Sequence, residues 1–159
     1  MSTLVSAAPE SQELATVEEV AAAMVDARAK VFALERFLLQ QPQADIQTFH
    51  HFAPGLYARE MRAAANVCLT GAIHKKAHVV TISQGSATLL THEGVKTVCA
   101  PFTFVSPPGV KRAIHVHDDL VMTTYHHTNK TTVPEVEAEL VCNSEDELLL
   151  AYSNVGVES

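Results

Sequence analysis

Between Val17 and Leu38 apolar residues recur at alternating steps of three and four: Val17, Val20, Met24, Ala27, Val31, Leu34 and Leu38. Val25, Phe32 and Leu39 widen the stripe. This is a helical period, and no Gly or Pro interrupts it. Thr16 and Glu19 stand three apart, the spacing of a capping box. Gln41-Pro42 closes the run, because the residue before a proline avoids helical backbone. An amphipathic helix is therefore predicted over 15–41. Its seam suits packing against the domain's own sheet, a dimer partner or a multi-helix assembly. Residues 1–14 show no period and read as a flexible arm.

From Leu56 the period shortens to two. Leu56–Arg62 alternates, and short β-rich runs follow at Val67–Leu69, His78–Ser83, Ala87–Leu90, Val95–Cys99, Phe102–Val105, Arg112–Val116 and Leu120–Tyr125. Turn signals separate them: Gly71, Gly85, His92-Glu93-Gly94 and Pro107-Pro108-Gly109. Many short strands with short connections imply an antiparallel sandwich or barrel, here spanning 46–130. Asp118-Asp119 reads as a turn before the last strand, and His50-His51 as preceding the first. Cys68 and Cys99 read as small core residues of strands. After His127 the chain turns polar. Thr132-Val133-Pro134-Glu135 can open a short helix with proline in its first turn. Ser144 to Glu147 repeats the capping-box spacing before Leu148–Tyr152.

Charge sharpens this division. Residues 1–45 hold seven acids and three bases, and residues 131–159 hold seven acids and no base. The middle segment, 46–130, holds four acids, eight bases and all nine histidines. The net charge of −7 argues against a nucleic-acid partner. Any chemistry belongs to the His-rich middle. There is no Gly-rich phosphate loop or nucleotide fingerprint, so no nucleotide cofactor is expected. No apolar run approaches a membrane span and the first residues lack a leader pattern, so a soluble cytoplasmic protein is expected. The three cysteines form neither a disulfide framework nor a zinc spacing.

One stretch carries a more specific signal: Gly71-Ala72-Ile73-His74-Lys75, then His78, with Gly85 seven residues further on. Here the chain resembles the cupin superfamily. That family's first motif is His-x-His, then a glutamate, then a glycine seven residues later. His74 falls at the second histidine, His78 at the glutamate and Ala72 at the first histidine. The family's second motif, Pro-x-Gly-x-x-His-x-x-x-Asn, is met by Pro107-Pro108-Gly109-Val110-Lys111-Arg112, with Arg112 at the histidine and Val116 at the asparagine. The resemblance covers about residues 50–128.

Within that superfamily the chain looks closer to one subgroup, small cupin-like proteins encoded in bacteriophage genomes. It shares the runs His50 to Glu60, Gly71 to Lys75, Ala100 to Phe102, Pro108 to Arg112 and Thr123 to His126 with them. The resemblance implies a mainly β, double-stranded β-helix or jelly-roll barrel, with the N-terminal helix and a short C-terminal helical segment in 131–159 appended. It leaves the activity open.

A barrel of this kind points alternate strand residues inward. His74 and His78 flank one turn and can converge in its mouth. With a third ligand they would hold a divalent transition metal, for which imidazole is suited. His126 is the first choice, with His115 and His117 as alternatives. Lys75, Lys111 and Arg112 would bind a carboxylate or phosphate, with or without the metal. Tyr57 is a candidate proton donor, and Tyr125 is a second possible wall residue. His92, at a hairpin tip, and His127 are expected at the surface.

Three readings of the histidines stay open: metal ligands, an anion site without metal, or a hydrogen-bonded polar interior. Two functions follow. One is a metal-dependent cupin acting on a small polar or anionic molecule. The other is a non-enzymatic virion-associated or host-interacting assembly protein. A homo-oligomer, dimeric or larger, is expected in both.

Overall fold

The computed structural model describes residues 15–148. The expected arm, 1–14, and most of the expected helix Leu148–Tyr152 lie outside that range. Helix α1 spans Val17–Leu38. Its capping box is present: Glu19 N donates to Thr16 Oγ1, and Thr16 N donates to Glu19 Oε2. The helix stops at Leu38, earlier than the proline requires. There the Gln43 side-chain amide donates to the Leu38 and Gln41 carbonyls, which a further helical turn would have used.

The strands are β1 Gln47–Ala53, β2 Leu56–Ala63, β3 Cys68–Thr70, β4 Ile73–His74, β5 His78–Thr91, β6 Gly94–Cys99, β7 Phe102–Ser106 and β8 Ala113–His127. Helix α2 (Val133–Leu140) and β9 (Val141–Cys142) follow. Every pairing is antiparallel, as the short connections require.

Two long strands organise the molecule. The first half of β5 pairs with β7 and its second half with β6. The second half of β8 pairs with β2, which in turn carries β1, while its first half pairs with β3. β5 and β8 pair with each other throughout, and both pass from one half of the sheet to the other. The halves close on one core, in which Met61, Val80, Ile82 and Met122 from one side meet Leu89, Val98, Ile114 and Val116 from the other. The result is the expected jelly-roll barrel, mainly β, with helical additions at both ends.

Two expected turns are instead points within these strands. Gly85 does not separate two strands: it lies in a bulge of β5, where the β5–β8 register shifts between Ile82 and Ala87. The shift changes which residues face inward, from His78, Val80 and Ile82 to Ala87 and Leu89. Gly85 has φ +85°, and a Cβ there would lie 2.2 Å from the Asp119 carbonyl oxygen. Only glycine fits. Asp118 and Asp119 likewise lie within β8. Ser86 Oγ donates to Asp118 Oδ2, and Ala65 N donates to Asp119 Oδ1.

β1 was not foreseen, and it places His50 and His51 on an edge strand paired to β2. Cys68 and Cys99 are exposed rather than in the core. Cys68 stands opposite His115, on the outer face that the exposed His115 marks. Cys142 is the buried one, against Ile73 and Leu148.

α1 lies against the barrel through a narrow part of its seam. Val31 is fully buried and Phe32 packs on Ile73, Cys142 and Leu148. Polar contacts lock it further. Arg28 donates to Glu145 and to the Gly109 carbonyl, while Glu35 accepts from Thr70 and Lys111. Val17, Val20, Val25, Phe37 and Leu39 remain exposed. No helix among the described residues is long and apolar enough to cross a membrane.

Candidate functional site

Inward-facing residues form rows across the sheet, because strand partners share a face. One row runs Phe52, Tyr57, His126, and, one residue beyond the Val79–Tyr125 pair, His78 and Ser106. The next runs His50, Arg59, Thr124, Val80 and Phe104. His74 reaches the first row from β4, which is held in place by β9: His74 pairs with Val141. The acidic C-terminal segment thus supplies the strand that positions one of the three histidines. Gly109 N donates to the His74 carbonyl and fixes the same stretch from the other side.

The three imidazoles converge. Ring centroids lie 4.3 Å apart for His74 and His78, 4.6 Å for His78 and His126, and 4.9 Å for His74 and His126. One nitrogen from each lies within 4.8 Å of the other two. His78 Nδ1 lies 3.3 Å from the Lys76 carbonyl. A carbonyl only accepts, so Nδ1 carries the proton and Nε2 keeps its lone pair. His126 Nε2 lies 3.0 Å from Thr124 Oγ1.

All three are held neutral. Burial, then the neighbouring His78 and His126, then Arg59 and Arg112, push His74 down to about 2. Burial, His78 and Arg59 push His126 down to about 4. Burial lowers His78 as well, with Arg112 adding to the effect against the opposing Lys76 hydrogen bond. Three neutral imidazoles at neutral pH are a donor set that fits a divalent transition metal, with coordination positions left for water or a ligand.

Arg112 stands beside this cluster, where the second motif has a histidine. Its Nη2 donates to Ser106 Oγ at 3.0 Å and its guanidinium lies 5.1 Å from the Phe104 ring centroid. It makes no ion pair among the described residues, and its Nε is buried without a hydrogen-bond partner. Arg59 is the cation that the sequence reading missed. It follows Tyr57 by two on β2 and so shares its inward face, a consequence of strand alternation readable from Leu56–Arg62.

The structure does not bring Lys75 or Lys111 to the cluster. Each is adjacent in sequence to a residue that does face it, His74 or Arg112, and an extended chain turns neighbours to opposite sides. Lys75 Nζ donates to the Ala138 carbonyl and lies 3.7 Å from Glu147. Lys111 is buried with Nζ 2.7 Å from Glu35 and 4.7 Å from the Phe32 ring centroid. Tyr57 does border the site, with its ring 6.0 Å from His126. Its hydroxyl is engaged at 2.7 Å by His50 Nδ1, and α2 covers it through Val136 and Leu140. Burial raises its pKa.

Other residues fall elsewhere. His115 and His117 are exposed on the outer face, and His117 Nε2 lies 2.6 Å from Thr88 Oγ1. Tyr125 and His127 face outward too. His92 is half-buried rather than exposed, and its Nδ1 has no hydrogen-bond partner.

No family model matches the chain, and neither does any curated protein. Solved structures match the chain at low identity. A conserved protein of unknown function from Streptococcus pyogenes is 15% identical with a TM-score of 0.45, covering 57% of this chain and 80% of that one. The salicylate 1,2-dioxygenase of Pseudaminobacter salicylatoxidans is 14% identical with a TM-score of 0.49, covering 72% of this chain. This chain spans only 34% of that enzyme. A cupin superfamily protein from Desulfitobacterium hafniense is 11% identical with a TM-score of 0.46, covering 57% of this chain and 84% of that one. The likeness does not extend to an activity.

Proposed function

We propose that this protein binds one divalent transition metal through His74, His78 and His126, and holds a small anionic molecule beside it with Arg112 and Arg59. One observation carries the reading: three imidazoles, two buried and one half-buried, from two separate parts of the chain meet with their nitrogens in reach of a common ion. Only part of their hydrogen-bonding capacity is used within the protein, which leaves nitrogen lone pairs for an ion. A bound metal would supply Lewis acidity at its open positions. Arg59 and Arg112 both oppose positive charge at His74, so a metal held there would be bound together with an anion that offsets them.

The test is elemental analysis of tag-free protein purified without chelator, beside a His74→Ala/His78→Ala variant and a His115→Ala/His117→Ala variant. The reading expects about one metal per chain, lost from the first variant and kept by the second. No metal in the wild type, and none gained on adding Zn, Mn, Fe or Ni, would overturn it.

A second reading is favoured by α1, whose Val17, Val20, Val25, Phe37 and Leu39 are exposed. In it the barrel is the scaffold of an oligomeric, phage-encoded assembly protein, acting in the host cytoplasm or the virion. Charged substitutions at Val17, Val20 and Val25 would then reduce the solution mass to that of one chain. An unchanged mass would count against this role.

A further inference from the structure

A cleft apart from the imidazole cluster lies behind Arg112. It has a volume of about 380 Å³ and is bounded by the β5–β6 hairpin, β7 and the turn that ends at Arg112. None of the three clustered histidines lines it; Arg112 is the residue common to both places. Val95, Phe102, Phe104 and Val110 give the cleft apolar walls. Its charged groups are Arg112, Lys96 and Glu93.

Arg112 is mostly buried; its direct contacts are the neutral Ser106 hydroxyl and the Phe104 ring, and it makes no ion pair among the described residues. A guanidinium so placed is stabilised by an anion that its planar fork can grip. Phe104 lies beneath it, so a ligand on Arg112 also meets an apolar wall. The ligand's size is bounded as well: about 380 Å³ is at the small end of ligand pockets. Glu93 also lies in the cleft and acts on Arg112. A dianion such as a phosphate monoester would be repelled by it more than a monoanion.

We infer that this cleft binds a small monocarboxylate with an apolar body, its hydrocarbon against Phe102, Phe104, Val95 and Val110 and its carboxylate on Arg112. The site deepens the proposed function, since it brings the anion's head to the edge of the imidazole cluster. It does not require metal there.

The test uses full-length protein stripped of metal, followed by NMR of its methyl and aromatic groups during titration with benzoate, cyclohexanecarboxylate and the neutral benzamide. Both acids are expected to shift the Val95, Val110 and Phe104 signals. Benzamide should bind about tenfold more weakly, the scale of one charge-assisted pair. Arg112→Gln should bring the acids down to the amide's level. Val105→Glu, at an exposed position of the cleft's lining outside those hydrocarbon contacts, should weaken the acids and spare the amide without disturbing the fold. Equal binding of acid and amide, shifts confined to other surfaces, or no binding at all would overturn the inference. Acid binding by a protein that takes no metal would sink the metal reading and leave this one standing. Metal uptake without acid binding would do the reverse.

Discussion

The two ends of the barrel are built from the same strands and differ in one respect, the chemistry of their inward-facing residues. Along β8 these run Ile114, Val116, Leu120, Met122, Thr124, His126. Along β2, read in the opposite direction, they run Ala63, Met61, Arg59, Tyr57. β7 ends the same way, with Phe102, Phe104 and Ser106. In each strand the period of two persists while the side chains change from apolar to polar. One end is a packed core, and the other is a polar cluster against which the α2–β9 segment packs. The first end carries the stability, and the proposed binding falls at the second.

The harshest way to break this arrangement is at the bulge between the ends. Gly85→Val places a side chain against the Asp119 carbonyl in left-handed backbone. It should cost at least about 3 kcal/mol or abolish folding, as read by denaturant unfolding. A core truncation should come next. Leu120→Ala, at a fully buried apolar position, should lose about 3 kcal/mol and leave metal binding per folded chain intact.

Acid should weaken the polar end selectively. The folded state holds His74 and His126 below their ordinary value, so the unfolded chain takes up protons that the folded chain refuses. Their contribution is complete above about pH 6.5 and is lost as the pH falls below it, down to about 4 for His126. The slope is at most about 1.4 kcal/mol per pH unit for each imidazole. Metal-free protein should therefore lose stability in mild acid. His126→Phe, which cannot take up a proton, should flatten that profile; an unchanged profile would mean that the imidazole cluster is open to water. The smallest effect belongs to the exposed helix face: Phe37→Ser and Leu39→Ser should change stability by less than about 0.5 kcal/mol.

Much of this was legible in the sequence. The capping box and the 3-4 stripe gave α1, and alternation with short connections gave an antiparallel barrel. What failed were inferences from single residues. Gly85 and Asp118-Asp119 look like turns, but glycine also serves a bulge, and the acids accept hydrogen bonds at the same crossing. A strand that bends between two halves of a sheet carries the local signature of two strands. Lys75 and Lys111, expected as anion ligands from their charge, are engaged elsewhere, at the Ala138 carbonyl and at Glu35. Arg59 was missed although strand alternation points it inward. Nothing local announced β9, because its pairing with β4 joins residues far apart in the chain.

Cobalt titration followed by absorption spectroscopy, on the wild type and on His126→Ala, tests the central claim most directly. The account predicts saturation near one equivalent of Co²⁺, with intense visible bands of imidazole ligation that weaken or vanish in the variant. A spectrum that stays that of aqueous cobalt, or bands that persist unchanged without His126, would contradict it.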